Sequence, residues 1–521
     1  MKSHLVRSVW EQHAISTRGG SWKWRTLVPI ALLTVLSASL GSAQGLLYEV
    51  DSTGDGGLVG SSNFCDDGTG RCTLRAAIEA SNLHPRVDGI SFFLPTGSVI
   101  NLTRALPNVS QGVDIVGPDA GQVTVRRNTA PNYRIFNVTT SSAVSFLNLV
   151  IGNGVADAGG GINHGSGTLN LTNCVFTGNL AQNGGGVNNN GGTLYATNCT
   201  FTGNAANSNG GGIANNFFGT VNIRNSTFNG NNATMGDPSA DGGGGVCNGN
   251  TLGSNGGFLK VTNSTFIGNF AYSGGAISTV AGGSATITNS TLSENLVGLS
   301  NKGGGISSDS TGPVSVKSCI IASSTGGPGI TSRRDVSGIF SSSGFNLIGK
   351  SDGSTGFTAA TDQVGTIASP LNPKLDPAGL QSNGGPTQTI ALQLDSPAID
   401  RGSSSGLTGN LSADQRSSVF PRTADYTSIS NAAGGDGTDI GACEGTRLQI
   451  TSITRLANGH MLLQGLGLPS RAHTIEASVD LSPGSFVPLP QPVIAAGTGV
   501  LLYDDSTSVG LPKQFYRLRF P

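Results

Sequence analysis

The chain has 521 residues, a formal net charge of −1, 80 glycines and only 11% charged side chains. So little Lys, Glu and Arg excludes an extensively helical protein, and there is no basic stripe of the kind that nucleic-acid phosphates require. Glycine at this level is compatible with collagen or disorder. However, no Gly-X-Y period is present, and Val, Ile, Leu and Phe return at regular intervals, so a packed core is expected.

Residues 1–43 have the layout of an export signal: Lys23 and Arg25, an apolar run from Leu27 to Leu40, and small residues Gly41 and Ala43 ahead of Gln44. The run is shorter than the ~20 residues of a spanning helix, and Pro29 interrupts it. No later stretch is apolar enough to span as a helix, and no cysteine follows the run to carry a lipid anchor. The expected location is therefore outside the cytoplasm, secreted or associated with the outer membrane or cell surface, with no transmembrane helix in the mature chain. Loss of the segment takes five of the 29 basic residues and one of the 30 acids, leaving 24 against 29 and a mildly acidic product.

Residues 44–86 form a candidate N-terminal cap. Seven cysteines in an exported chain leave at least one unpaired; Cys65 and Cys72, in a Gly/Asp-rich loop, are the best disulfide candidates. From Cys72 to Asn82 the pattern predicts a short amphipathic helix, with Leu74, Ala77 and Ile78 on one face and Arg75 and Glu79 on the other. Laid over the end of a β-solenoid, it would shield an open sheet edge.

Residues 87–344 are governed by a repeat. Asn173-Cys-Val-Phe176-Thr-Gly-Asn179 recurs as Asn198-Cys-Thr-Phe201-Thr-Gly-Asn204, and then from Asn225 with Phe228, from Asn263 with Phe266, and from Asn289; it can be traced back to Asn148. Between these units come glycine runs ending in an aliphatic residue, such as Gly186-Val187 and Gly212-Ile213. A fixed period of this length means stacked units that share one elongated core. Alternation puts Leu169 and Leu171, then Cys174 and Phe176, inward on two strands joined by a bend at Asn173. Asparagine tolerates the left-handed turn, and its stacked amides are expected to form a ladder along the axis. The phenylalanines are expected to stack inside the coil, and the glycine runs to serve the sharp turns. The longer unit from Phe228 to Phe266 predicts a protruding loop around residues 235–257. Buried thiols are expected at Cys174 and Cys199, where later units place serine.

Residues 345–446 lose the period and gain Pro and Asp, consistent with irregular coils that close the solenoid. Residues 447–521 show short alternating runs separated by turn residues, which predict a small β-sandwich. The fold expected is all-β, a right-handed parallel β-helix with an N-terminal cap and a C-terminal β-sandwich.

Several of these segments resemble known modules. The Phe-x-x-Asn pairs Phe176/Asn179, Phe201/Asn204, Phe228/Asn231 and Phe266/Asn269, with the glycine-aliphatic marks, resemble the polymorphic outer membrane protein repeat. Cys72-Thr-Leu-Arg-Ala-Ala resembles the CSLREA module of secreted bacterial β-helix proteins, with Ala76 in place of the glutamate. Asn383-Gly-Gly-Pro-Thr, Ser396-Pro-Ala-Ile-Asp and Asp439-Ile-Gly-Ala resemble the choice-of-anchor Q domain, and the tail is similar to C-terminal modules of secreted proteins from Verrucomicrobia-like bacteria. Together the resemblances imply a right-handed parallel β-helix on a bacterial exterior, adhesin-like. The chain leaves no room for the outer-membrane barrel that ends the polymorphic membrane proteins.

The same fold hosts polysaccharide lyases and hydrolases, so chemistry has to be sought in residues. Over residues 145–320 the ionisable side chains are scattered: Asp157, His164, Arg224, Asp237, Asp241, Lys260, Glu294, Lys302, Asp309 and Lys317. No two acids recur at one repeat position, as paired carboxylates for inverting hydrolysis would. Asp237 with Asp241 is the nearest to a cluster and is expected to be a solvated loop. Arg333-Arg334-Asp335 is expected to be a surface salt bridge. Asp400, Asp414, Arg416, Arg422 and Asp439 are expected to form structural ion pairs, and His164, His460 and His473 have no partner identifiable from sequence. No catalytic, cofactor or metal residue is therefore assigned. The leading expectation is a monomeric, non-enzymatic surface protein whose partners are polysaccharide or other cell-surface ligands. A β-helix lyase or hydrolase and a passive spacer are the alternatives.

Overall fold

The computed structural model describes residues 45–519 except 61–63, 120, 234–241, 251–255, 299–301, 310, 327–333, 424, 426–428, 446–448, 468–471, 483, 497–499 and 512–513. The segment expected to direct export lies outside the described residues. Among those described, no helix is long and apolar enough to cross a membrane.

The protein is a right-handed parallel β-helix. One rung runs through Thr168–Thr172, Val175–Thr177, Leu180–Asn183 and Val187–Asn190 before the next begins at Thr193–Thr197. Each of these strands stacks on its counterparts to give four parallel sheets, named I to IV in that order, with 11, 11, 7 and 9 strands. Register is kept across rungs of different length: Phe176, Phe201, Phe228 and Phe266 are direct partners in sheet II, although equivalent positions are 25 residues apart in the first pair of rungs and 38 in the last. The extra length is not one protruding loop, because Val246–Asn248 within it forms a sheet IV strand paired with Ile213–Asn215. The remainder of the insertion, with Met235, Asp237 and Asp241, lies outside the described residues.

The bend between sheets I and II is made by Asn148, Asn173, Asn198, Asn225, Asn263 and Asn289, all with φ between 46° and 56°, where a short polar side chain tolerates the left-handed region. Their amides do not form the continuous ladder expected of them. Asn173 donates to Asn148 at 3.1 Å, whereas the carbonyl oxygens of Asn173, Asn198 and Asn225 are unpartnered.

The ladder belongs to the second asparagine of the motif. Asn179, Asn204, Asn231, Asn269 and Asn295 are fully buried, and the Nδ2 of each of the first four donates to the Oδ1 of the next at 2.8–2.9 Å. The other Nδ2 hydrogen goes to a main-chain carbonyl, Phe176 O for Asn204 and Phe201 O for Asn231. The Oδ1 of each of the last four also accepts the preceding asparagine's main-chain N–H, and Asn179 Oδ1 accepts that of Gly154. Donors and acceptors are thus all used, which is the condition for burying an amide without loss. Beside the ladder the four phenylalanine rings stack with centroids 4.5–4.7 Å apart and planes within 6°, matching the strand spacing. Glycine in the run is fixed by this column: a Cβ on Gly186 would lie 3.0 Å from the Phe201 ring, and Gly184, at φ 65°, makes the turn itself.

At the N-terminal end, helix α1 (Leu74–Asn82) is capped by the Thr73 side chain. Its apolar face joins the main core. Arg75 is not on a solvent face: it is buried, bonds Asp55 at 2.7 Å and donates to the carbonyls of Arg104 and Ala105. Cys65 and Cys72 are disulfide-bonded, while Cys174, Cys199, Cys247, Cys319 and Cys443 are buried thiols.

Only the first part of residues 345–446 continues the coil, ending with Gln363–Val364 in sheet II. The rest folds back along the outside of that sheet. Leu392, Ala398, Ile399 and Ile440 pack on Ile320 and Leu347. Gln415 reaches rungs well before the end, accepting from Thr265 Oγ1 at 2.7 Å and donating to Thr227 Oγ1 at 2.9 Å. The tail forms two small antiparallel sheets over a core that includes Leu463, Ile475, Val493 and Leu501.

Candidate functional site

Interior positions are occupied by structure, so function has to be sought on outward faces and in cavities. His164 illustrates the first point: it is fully buried, and its Nδ1 lies 2.8 Å from Asn189 Oδ1. It heads a second amide column through Asn189, Asn215 and Asn248, and burial pushes its pKa below the usual histidine range. The partner was hidden in sequence because it lies one rung away.

The pairs expected in the back-folded segment divide. Asp414 holds Arg416, and Glu444 holds Arg422 at 2.9 Å, all four buried. Arg422 also donates to Asn263 Oδ1 at 2.7 Å, which ties the segment to the coil. Asp439 instead accepts main-chain N–H groups from Asp400 and Gly445, and burial raises its pKa to about 7. Lys302 pairs with Asp309, and His460 lies 2.9 Å from Asp504.

Asp335 departs from expectation. It is completely buried rather than part of a surface salt bridge, and its nearest cation is Lys350 Nζ at 3.8 Å; Arg333 lies outside the described residues. Ser324 N–H donates to its Oδ1 at 2.6 Å, and burial raises its pKa to about 6 against the opposing pull of Lys350.

The most distinctive outward feature is on sheet I. Strand alternation turns Leu194 and Ala196 inward and Tyr195 outward, where it lies in register between Asn170 and Asn222. One rung on, the turn between Ile213–Asn216 and Thr220–Arg224 is made by Phe217 and Phe218, at φ 52° and 60°. One rung further, Phe258 opposes Thr220 and Lys260 opposes Asn222. The four aromatic side chains are 40%, 52%, 61% and 53% exposed in chain order, which puts four separate aromatic side chains in solvent across three rungs, about 10 Å along the axis. In the previous rung the turn is one residue shorter, with Gly191, at φ 96°, where Phe217 and Phe218 stand and Gly192 in the place of Gly219. Phenylalanine there adopts a conformation that costs an L-residue about 1–2 kcal/mol, and exposure returns none of it.

The first strands of sheet I turn Glu49 and Asp114 outward; beyond them the charge on this face has one sign. From Ser145 to Ser341 the outward residues of sheet I include Arg224, Lys260 and Lys317 and no carboxylate among the described residues. Lys317 is engaged by Ser405 O at 2.7 Å. Arg224 and Lys260 lie beside these aromatic side chains, with Thr168, Thr193 and Thr220 adding hydroxyls in a row. Among the described residues no three His, Cys, Asp or Glu side chains are grouped to hold a metal.

No family model matches the chain. No curated protein matches it either, so the short resemblances of the repeat, cap and back-folded segment remain likenesses of motifs. Among solved structures two chains match; one is the crystal structure of pectate lyase Pel9A, 16% identical, with a TM-score of 0.42, covering 78% of this chain and 98% of that one. At that distance no residue or activity is carried over.

Sequence reading missed the four exposed aromatics, although signals for them existed. Tyr195 stands between two inward residues, and Phe217-Phe218 replaces the single Gly191 of the rung before.

Proposed function

We propose that the protein is an exported, non-enzymatic β-helix that holds an extended anionic polysaccharide across the outer face of sheet I, at the cell surface or in secreted form. The supporting observation is the pair Phe217 and Phe218, held in the left-handed region while more than half exposed. Strain kept where packing does not require it points to function. In this reading the rings of Tyr195, Phe217, Phe218 and Phe258 lie against the C–H faces of sugar units. Arg224 and Lys260 pair with carboxylate or sulfate groups, as cations desolvated beside aromatic surface do most effectively. A rigid strand face needs little ordering on binding, so many weak contacts can add.

The test is retention on a panel of uronate-containing, sulfated and neutral polysaccharides. Binding is expected for the anionic members, weakening with added salt because the charged contacts are exposed. Lys260→Glu is expected to reduce it about tenfold, equivalent to ~1.4 kcal/mol. Equal retention of neutral and anionic polymers would contradict the role given to Arg224 and Lys260. Release of unsaturated sugars from the bound polymer would replace this reading with a lyase, and no retention at all would leave the spacer.

A further inference from the structure

Among the described residues, every edge strand of the tail but one is blocked against another chain. An edge is a template for pairing unless charge, proline or irregularity prevents it. Gln449–Arg455 exposes Thr451, Thr454 and Arg455 around a single Ile453, and Phe515–Arg519 exposes Arg517. The broken strand Val487–Pro488 and Val493–Ile494 carries Pro488, Pro490 and Pro492, which have no N–H to donate. Val500–Asp505 has none of these devices along Val-Leu-Leu-Tyr, before its two acids. It ends its three-stranded sheet, and among the described residues it pairs only with Met461–Leu466.

One bond shows which way its main chain faces. Val500 O accepts the Ala496 N–H at 2.9 Å, so it points away from Met461–Leu466. Groups two residues apart on a strand point the same way, which turns the N–H and C=O of Leu502 and Asp504 out of the sheet as well. They border an open cleft of about 600 Å³ that Pro490, Pro492 and Ile494 also line. The side chains agree with the backbone: Leu501 is buried in the tail core, whereas Val500 and Leu502 are 43% and 57% exposed. Aliphatic side chains exposed along an unblocked edge are what soluble proteins avoid unless a partner covers them.

A second copy of the same strand satisfies these groups by symmetry. When two such strands pair antiparallel about a two-fold axis, residues that face the edge must stand opposite one another. Leu502 then meets its own copy, and Val500 meets the copy of Asp504. The central contact is leucine on leucine, and no carboxylate lies directly opposite another.

We infer that Val500–Asp505 is a self-association edge, through which two copies of the chain join their three-stranded tail sheets into one sheet of six with Leu502 at the two-fold axis. The monomer expected from sequence is then the dilute form. Pairing of one short strand is small beside stable interfaces, so a Kd of about 10–100 µM is expected. The inference does not depend on the sheet I face and would hold if that face bound nothing.

The experiment is sedimentation velocity of the full chain over about 1–300 µM, which spans that Kd. The parent is expected to pass from monomer to dimer across the range. Leu502→Lys, at an exposed position, sets like charges opposite one another and is expected to weaken association at least tenfold; Thr454→Lys, on the other edge of the same sheet, is expected to leave it unchanged. Leu502→Cys is expected to give a covalent dimer, because opposed residues of this kind have Cα atoms about 5.5 Å apart, within disulfide reach. The two introduced thiols are oxidised to one disulfide as added oxidised glutathione is reduced to two thiols, and Thr454→Cys is expected to give no such dimer. A parent that stays monomeric throughout overturns the inference and leaves the edge to an extended segment of another protein. It is overturned equally if Leu502→Lys associates as the parent does, or if Leu502→Cys cross-links no more than Thr454→Cys. Should Leu502→Lys fail to fold, the cysteine comparison decides.

Discussion

Replacing Asn204 by alanine removes four hydrogen bonds from the fully buried ladder. Two are accepted by Asn204 Oδ1 from Asn179, one from its main-chain N–H at 3.2 Å and one from its Nδ2 at 2.9 Å. Two are donated by Asn204 Nδ2, to Phe176 O and to Asn231 Oδ1, both at 2.9 Å. Two buried N–H groups of Asn179 then lack their acceptor and Phe176 O lacks this donor. At about 1–3 kcal/mol for each orphaned group, partly relieved by relaxation, the cost is about 3–6 kcal/mol. Because each rung of a solenoid depends mainly on its neighbours, the loss should be local. Hydrogen exchange measured peptide by peptide should show protection falling by about two to four orders of magnitude for amides between Phe176 and Asn231, and far less at the N-terminal cap. Asn207→Ala is the control, since its amide makes one exposed contact to Gln182 at 3.3 Å and should change stability by less than ~0.5 kcal/mol. Asn204→Asp should be as damaging as alanine, because it keeps the acceptors but turns a carboxylate oxygen toward Phe176 O and Asn231 Oδ1. If Asn204→Ala and Asn207→Ala destabilise within 1 kcal/mol of each other, the ladder does not hold the rungs in the way described.

Three other outcomes follow from specific contacts. Asp335 has a folded pKa near 6, above its ordinary value of 3.8; between these values the folded state binds more proton than the unfolded, so its contribution disfavours folding increasingly from about pH 4 to pH 6, by ~3 kcal/mol in all. Asp335→Asn, which keeps an acceptor for Ser324 N–H and leaves Lys350 in place, should therefore gain stability relative to the parent across that window in parallel urea titrations, and a constant difference would refute the assignment. Gly192→Ala would set a methyl 2.2 Å from the His164 ring and should cost about 1–3 kcal/mol; in thermal melts the double variant with His164→Ala should recover part of the loss, and no recovery would show that the ring is not the obstacle. Arg422→Ala leaves Glu444 buried without its cation and removes the bond to Asn263. It should cost about 3–5 kcal/mol and expose 365–445 to limited proteolysis before the coil, whereas simultaneous loss of both would mean that the segment is not a separable layer.

How far the sequence reveals these features depends on whether they repeat. The bend asparagines and the Phe176 column were legible because a turn with positive φ recurs at one position in six rungs and an inward ring in four of them. The ladder was assigned to the wrong asparagine because Asn173 and Asn179 have the same period, and only depth separates them: the first lies at the bend, while the second is enclosed and satisfied on every side. His164 could not be paired because its partner, Asn189, is a full rung away. Tyr195, Phe217, Phe218 and Phe258 break the repeat, and a reading that follows regularity passes over such departures. The cavity lined by Asp335, Pro370, Leu371 and Asn372 was beyond reach, since the last three come from a segment without period whose path back along sheet II is set by Gln415, Arg422 and a local apolar patch.

The most direct test of the functional account sets affinity against stability in one variant. Replacing both Phe217 and Phe218 by glycine removes two side chains from solvent and supplies the residue that the left-handed turn prefers, as Gly191 does one rung earlier. The account predicts that the double variant is at least as stable as the parent in urea titrations, and that it loses at least tenfold in affinity for an anionic polysaccharide in the same buffer. Retained affinity, or a marked loss of stability showing that the phenylalanines serve the fold, would contradict it.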